Sequence, residues 1–173
     1  MAPSPRRLSG GPDTGPNPTD RAKCGTKRSV ICDAQSIPIG LAIAGAHRHD
    51  VKLLKPTLDA LMITPPAPKF SRADTQIGLC LDRGYRGRHV PATVAEHAMI
   101  AHVQGRDEEI KAREFDPEWR ARRWVIERTH SWINRFRGLL IRWSKKTENH
   151  AAMLHLACSI IVWRNIPRDA LPR

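Results

Sequence analysis

Asp82 stands directly after the apolar run Ile77–Leu81, and Gly84 follows it two positions later. A short run without polar side chains predicts a buried strand. In open α/β sheets, ligands bind beyond the carboxyl ends of the strands. Asp82 is therefore a candidate metal ligand. The alternative at this point is an acid that caps the next helical turn.

Glu127 is the second candidate, because it is the only carboxylate in the stretch Trp119–Lys146, which also holds nine Arg and Lys residues. At about 100° per residue, a helix here has a polar face around Glu127 and an apolar face opposite. The polar face comprises Arg120, Arg123, Ser131 and Asn134, and the apolar face comprises Val125, Trp132, Phe136, Leu140 and Trp143. The alternative is a solvated helix in which Arg123 and Glu127 form an i, i+4 ion pair.

A carboxylate at a strand end and another on a helix can jointly bind divalent metal ions. Two such ions about 4 Å apart activate an attacking oxygen and stabilise the leaving oxygen at a phosphodiester. Carboxylate oxygens suit Mg²⁺ or Mn²⁺. Nearby arginines would bind phosphates rather than read bases, and the candidates are Arg120, Arg123, Arg128 and Arg135. Two carboxylates are few for this chemistry, so we expect a third.

Three segments resemble the C-terminal part of bacterial insertion-sequence DDE transposases, from about Thr14 to Arg164. They are TGPNPTDRAKCGTKRSVICDAQSIPIGLAIAGAHRHDVKLLKPTLDAL, LCLDRGYRG and RRWVIERTHSWINRFRGLLIRWSKKTENHAAMLHLACSIIVWR. The resemblance implies an α/β, ribonuclease-H-like mixed sheet flanked by helices, with an Asp-Asp-Glu triad and Mg²⁺. It assigns Asp82 to the second Asp, Glu127 to the Glu and Arg123 to the arginine near the Glu.

The first Asp of that triad is where the sequence departs from the family. In the family it lies upstream of the TGPNPTDR segment, and Ala2–Ser9 contains no carboxylate here. Asp33 matches a later strand. We therefore expect an N-terminally incomplete fold whose first strand is missing, with an irregular Gly/Pro-rich segment at 1–28 and a partial catalytic domain at 29–173. A truncated gene and the second frame of a frameshifted enzyme both fit this expectation.

The apolar periodicity of the rest of the sequence predicts the helices and strands that must position Asp82 and Glu127. A hairpin comes first, then helices and strands that alternate, which favours an α/β layered domain. The predicted elements are strands Ser29–Ala34, Ile37–Ala44 and Ala98–Val103, and helices Val51–Met62, Arg86–His97, Trp119–Lys146 with a break near Arg137-Gly138, and Glu148–Asn165. The last helix is apolar on nearly all sides, so we expect it to be buried.

Two smaller patterns leave alternatives open. His47, His49 and Asp50 could form a metal site, or Asp50 could be the N-cap of the helix that follows. The cysteines form no CxxC pair, and Cys32, Cys80 and Cys158 stand in apolar runs. This pattern predicts buried free thiols in a reducing compartment.

Charge indicates the partner class. The 173 residues include 29 Lys and Arg against 17 Asp and Glu, a formal charge of +12. Such a chain attracts polyanions, so nucleic acid is the expected partner. Aromatic residues make up only 5%, which does not favour recognition of RNA bases by stacking. No apolar run is long enough to span a bilayer, so we expect no membrane partner and a cytoplasmic, nucleoid-associated protein.

Two functions follow from these observations. The first is a portion of a DDE transposase for metal-dependent DNA cleavage and strand transfer, inactive as this chain alone because the first Asp is missing. The second is a non-catalytic DNA-binding or regulatory protein. In either case the partners are the DNA of element ends and target, and a second copy of the chain or a full-length transposase.

Overall fold

The computed structural model describes residues 6–7, 11–18, 20–64, 77–103, 114–115 and 123–167. Strands and helices alternate along these residues, which confirms a mixed α/β fold. The strands are β1 Arg6–Arg7, β2 Gly15–Pro16, β3 Cys24–Cys32, β4 Pro38–Gly45, β5 Ile77–Leu81, β6 Met99–Val103 and β7 Ile141–Arg142. The helices are α1 Val51–Asp59, α2 Val90–Ala95, α3 Arg123–Asn134 and α4 Thr147–Asn165.

The predicted hairpin is confirmed as β3 and β4, which pair antiparallel from Thr26 opposite Gly45 to Cys32 opposite Pro38. At its turn, the Asp33 carboxylate accepts hydrogen bonds from two backbone N–H groups, those of Gln35 at 2.9 Å and Ile37 at 2.8 Å. Asp and Asn side chains close turns in this way because they hydrogen-bond the backbone just ahead of them.

The expectation of irregular structure throughout 1–28 was wrong at β1, at β2 and in the first half of β3. β1 and β2 both pair with Gly25. The early part of β3 is polar, and that concealed it. Lys27 pairs with Asp50 and Arg28 with Asn134, so the strand's polar side chains have partners on both faces.

The β3–β4 hairpin separates two hydrophobic cores. One core, packed around Ile31, comes from β3, α1, α2 and β6 together with part-buried residues of β5; its buried members are Ile31, Leu54, Leu58, Val90, Val94 and Met99. The other lies beneath α3 and α4; its buried members are Leu41, Ile133, Leu139, Leu154, Ala157 and Ile161. We call these the first core and the second core. Strands β5 and β6 form a parallel pair of their own within the described residues.

Helix α1 begins at Val51 as predicted and ends earlier than predicted. It ends at Asp59 rather than Met62, because the Met62 N–H donates to the Ile39 carbonyl at 2.9 Å and draws the chain onto β4. Asp50 occupies the predicted N-cap position, but its side chain makes no capping hydrogen bond. The Asp50 carboxylate instead accepts a hydrogen bond from Lys27 Nζ at 2.8 Å.

The other short elements lie close to their predicted places. β5 matches its prediction, and β6 begins one residue late because Ala98 has a left-handed φ of 57°. Helix α2 is shorter than predicted, because Arg86 is extended after a 3-10 turn at Arg83–Tyr85 and the helix begins only at Val90. The full burial predicted for β5 was wrong: Gly78 and Cys80 are exposed. Cys80 is thus an exposed thiol, whereas Cys32 and Cys158 are partly buried.

The predicted basic helix breaks where expected, and only its central part is confirmed. Helix α3 ends at Asn134, and a 3-10 turn at Arg137–Leu139 leads into β7. The prediction that the helix continues beyond Leu139 was wrong, because strand β7 is extended and pairs with β1. The predicted start of the helix at Trp119–Arg122 lies outside the described residues.

Helix α4 confirms its predicted bounds and contradicts its predicted burial. His150, Leu154, Ala157 and Ile161 are buried, whereas Met153, Leu156 and Trp163 are exposed by 44%, 63% and 64%. One side of this apolar helix therefore covers the second core and the other faces outward. Among the described residues, no helix is long and apolar enough to cross a membrane.

Candidate active site

Asp82 lies at the carboxyl end of β5 and is exposed. Its Oδ1 accepts a hydrogen bond from the Arg83 N–H and so caps the 3-10 turn. The capping alternative is thus observed. It does not conflict with metal binding, because a carboxylate has a second oxygen with its own lone pairs.

Tyr85 fastens the Asp82 turn to the hairpin. Its ring packs against the first core, its N–H donates to the Asp82 carbonyl at 2.9 Å, and its hydroxyl is hydrogen-bonded to the Ser29 side chain. Ser29 Oγ in turn lies 2.7 Å from the hydroxyl of Thr57 on α1. Burial raises the pKa of the Tyr85 phenol, so it stays neutral at physiological pH. The turn is held by apolar packing and neutral hydroxyls.

Asp50 places a second carboxylate beside this turn. A Cβ added at Gly84 would lie 3.3 Å from Asp50 Oδ2, so the absence of a side chain at Gly84 lets the two segments approach. Lys27 Nζ balances the charge of Asp50 and also donates to the Arg48 carbonyl at 2.8 Å. Sequence reasoning singled out Asp50 within the HRHD pattern but did not foresee its position beside the Asp82 turn.

Glu127 lies on the exposed face of α3, as predicted. Arg123 and Ser131 are exposed on the same side, whereas Val125 and Ile133 are buried beneath the helix. Trp132 and Phe136 of the predicted apolar face pack against the second core. Leu140 and Trp143, which the sequence also assigned to the apolar face, lie beyond the end of α3 and are exposed. Asn134 is partly buried, and its Oδ1 accepts a hydrogen bond from Arg28 at 2.8 Å.

The predicted phosphate-binding arginines differ in their surroundings. Arg123 on α3 and Arg135, just after its end, are exposed, and Arg120 lies outside the described residues. Arg128 is partly buried, with Nε donating to Ser36 Oγ at 2.8 Å and a terminal nitrogen donating to the Gln35 carbonyl at 2.6 Å. Exposed guanidiniums suit phosphate contacts, so Arg123 and Arg135 fit that role better than Arg128.

The Asp82 turn and the Glu127 helix approach β3 from its two faces. Ser29 of β3 contacts Tyr85, whereas its neighbour Arg28 contacts Asn134 of α3. Oxygen-rich side chains such as Asp82 and Glu127 fit the preferences of Mg²⁺ and Mn²⁺. Within the described residues, no three His, Cys, Asp or Glu side chains are grouped closely enough to hold a metal ion. His47, His49 and Asp50 therefore do not form such a group either.

Comparison with known proteins identifies the family. The sequence model of the transposase DDE domain matches residues 6–162. The chain belongs to the DDE transposase family. A protein of Burkholderia cepacia named "Putative transposase for insertion sequence element IS402" is 35% identical over 166 residues, which cover 94% of this chain and 74% of that protein. No solved structure matches significantly.

This DDE-family chain also buries cations and histidines on the α3–α4 side of the hairpin. The Arg142 side chain is fully buried and donates to Thr26 Oγ1 at 2.7 Å and to Thr147 Oγ1 at 3.1 Å. Burial lowers the pKa of both His130 and His150 to about 4, with Arg28 adding to the effect at His130 and Arg142 at His150. Sequence patterns did not single out His130 and Arg142, because both stand in the predicted basic helix, where polar residues look solvated.

Proposed function

We propose that this chain supplies the second Asp and the Glu of a ribonuclease-H-like transposase active site, as Asp82 and Glu127. Membership of the DDE family carries this proposal, together with the exposure of both carboxylates on elements fastened to one hairpin. Both residues would hold Mg²⁺ or Mn²⁺, whose chemistry is to activate the attacking oxygen and stabilise the leaving oxygen at the phosphodiester. The reaction is DNA cleavage and strand transfer at insertion-sequence ends.

The third carboxylate comes, in this proposal, from a strand that lies between β3 and β5. From Thr26 to Cys32, β3 pairs with β4 on one edge, and along that stretch no strand of the described residues pairs with its other edge. Within those residues β5 pairs with β6 alone. Unpaired edges are templates for a further strand, and Ile31 of β3 packs in the same core as β5. That strand would carry the first Asp, from outside the described residues or from another chain such as a full-length transposase.

DNA phosphates are the proposed contacts of the exposed arginines on α3 and just after its end. The formal charge of +12 attracts the duplex, and neutralised phosphates release counterions, which makes binding sensitive to salt. Arg123 begins α3 and Arg135 directly follows it, so the two flank Glu127 along the chain and would hold the DNA strand near the reacting phosphate. Arg120 completes the proposed set. The proposed location is the cytoplasm, in association with the nucleoid.

A cleavage assay on DNA that carries the element ends tests the proposal. The chain is assayed with Mg²⁺ or Mn²⁺, alone and fused at its N-terminus to the first-strand segment of a related transposase. We expect cleavage from the fusion protein, and a loss of more than about 100-fold on Asp82→Asn or Glu127→Gln, because each removes a charged metal ligand. Glu148→Gln, which changes an exposed carboxylate in the first turn of α4, should keep the activity.

The positive net charge of the chain also favours a second function, that of a non-catalytic regulator that binds DNA. Binding through charge does not require the catalytic triad. Its signature would be DNA binding that weakens steeply with salt, with no cleavage by the chain or by the fusion protein. Equal cleavage by wild type and Glu127→Gln would contradict the enzymatic proposal, since the Glu would then have no part in the reaction.

A further inference from the structure

The guanidinium of Arg128 is engaged on several sides. Its central carbon lies 4.8 Å from the ring centroid of Trp124 and 5.2 Å from that of Trp132. These tryptophans stand four residues before and four residues after it, so the three side chains form one row along α3. Two of its nitrogens also donate to the hairpin turn, to Ser36 Oγ and to the Gln35 carbonyl.

The turn that receives Arg128 is itself closely constrained. Ser36 is fully buried and has a left-handed φ of 72°, a conformation that persists in a serine only where its surroundings impose it. The hydroxyl of Thr129, also fully buried, donates to the Ser36 carbonyl at 2.7 Å. Asp33 closes the same turn from inside the hairpin. Consecutive residues of α3 therefore hold one rigid turn.

Those residues follow Glu127 directly, and the consequence concerns its position. A slip of α3 by one residue would move Glu127 about 1.5 Å along the axis and turn it about 100°. Either movement would break both the Arg128 and the Thr129 contacts to Ser36. Catalytic groups must be held within about 0.5 Å of the productive geometry.

We propose that Arg128 is a positioning residue for Glu127: it clamps α3 to the β3–β4 turn through Ser36 and Gln35 instead of contacting a DNA phosphate. This inference rests on the proposed function, because it assumes that Glu127 is catalytic. The planar guanidinium is suited to the task, since it can stack on indoles while its N–H groups donate in fixed directions. A lysine has the charge but neither property.

Three measurements on the full chain and its fusion protein test the clamp. The variants are Arg128→Lys, Arg128→Gln and Ser36→Ala, with Arg135→Gln, at an exposed arginine just after α3, as the matched control. Hydrogen exchange should become at least about tenfold faster in 33–37 and 124–133 for the first three variants, because a loosened contact raises local opening. The salt dependence of DNA binding should be unchanged by Arg128→Gln, whereas Arg135→Gln should lower its slope by about one phosphate contact.

The cleavage rate of the fusion protein adds the catalytic readout. Arg128→Lys should lower kcat about 10- to 100-fold with little change in the Kd for DNA, and Ser36→Ala with Arg128→Lys should cost less than the sum of the two changes. Normal exchange in Arg128→Lys, or a reduced salt slope in Arg128→Gln, would overturn the clamp. A wild-type fusion protein without activity would overturn the proposed function instead, and exchange and salt slope would still decide whether Arg128 clamps the turn.

Discussion

The Asp82 turn and the Glu127 helix are both fastened to the β3–β4 hairpin, but by contacts of different kinds. The Asp82 turn depends on Tyr85, whose ring packs in an apolar core and whose hydroxyl meets the neutral Ser29. The Glu127 helix also packs on the second core through Ile133, but its contacts with the hairpin include directed hydrogen bonds of charged side chains, from Arg128 to Ser36 and from Arg28 to Asn134.

This difference predicts which changes should alter the position of each carboxylate. Apolar packing is non-directional and tolerates small adjustments, whereas a hydrogen bond weakens steeply when its geometry is lost. The buried histidines with lowered pKa values, His130 and His150, also lie on the Glu127 side. We therefore expect cavities in the first core to affect the Asp82 turn, and changes of protonation to affect the Glu127 helix.

The largest expected effect comes from opening a cavity in either core. Leu58, 1% exposed, belongs to the first core, and Leu154, fully buried, belongs to the second. Leu58→Ala and Leu154→Ala should each lower the free energy of unfolding by about 2–5 kcal/mol, through lost burial and the cavity left behind. Urea unfolding of the single variants and the double variant measures this.

The double variant decides whether the hairpin separates the two cores. Residues without shared contacts give changes that add to within about 0.5 kcal/mol. A clearly non-additive result would show that the cores respond as one unit, and the contrast between the Asp82 side and the Glu127 side would lose its structural basis. Met153→Ala, at a residue 44% exposed on α4, is a control that should cost much less.

The next largest effect is expected at low pH, which should destabilise the part of the fold formed by α3 and α4. His130 and His150 have folded-state pKa values of about 4, below the ordinary value of 6.5. The unfolded chain therefore binds these protons first, and their contribution to stability is present above pH 6.5 and is lost as the pH falls toward 4. The loss is at most about 1.4 kcal/mol per pH unit for each histidine.

The unfolding free energy at pH 7 and at pH 5 tests this expectation. Besides burial, the charges of Arg142 and Arg28 lower the pKa of His150. His150→Gln should reduce the difference between the two pH values, whereas His89→Gln, at an exposed histidine, should not. An unchanged difference in His150→Gln would show that His150 is not buried as a neutral ring.

Sequence reasoning located the carriers of the candidate site better than the contacts that hold them. β5, the hairpin and the amphipathic face of α3 follow from local apolar periodicity, which a sequence displays directly. The early part of β3 was missed because Lys27 and Arg28 are polar, and their partners Asp50 and Asn134 lie far along the chain. The contact between Arg128 and Ser36 could not be predicted for the same reason. The basic composition around Arg128 suggests a phosphate ligand, and only the fold brings Ser36 beside it.

The smallest expected effect, and the sharpest test of the Asp82 side, comes from Tyr85→Phe. The change keeps the ring in the first core and removes only the hydroxyl that meets Ser29. The free energy of unfolding should fall by about 0.5–1.5 kcal/mol, the net value of one hydrogen bond. Thermal or urea unfolding measures the loss, and Thr93→Val, at an exposed hydroxyl on α2 that bonds only its own helix, is the control.

Cleavage by the Tyr85→Phe fusion protein then compares the two sides directly. If apolar packing places the Asp82 turn, kcat should stay within about threefold of wild type, because the ring that fixes the turn is unchanged. Arg128→Lys, an equally conservative change on the other side, should cost at least about tenfold. A large loss of kcat in Tyr85→Phe would mean that the Asp82 side, too, depends on a directed hydrogen bond, and the contrast between the two sides would then be wrong.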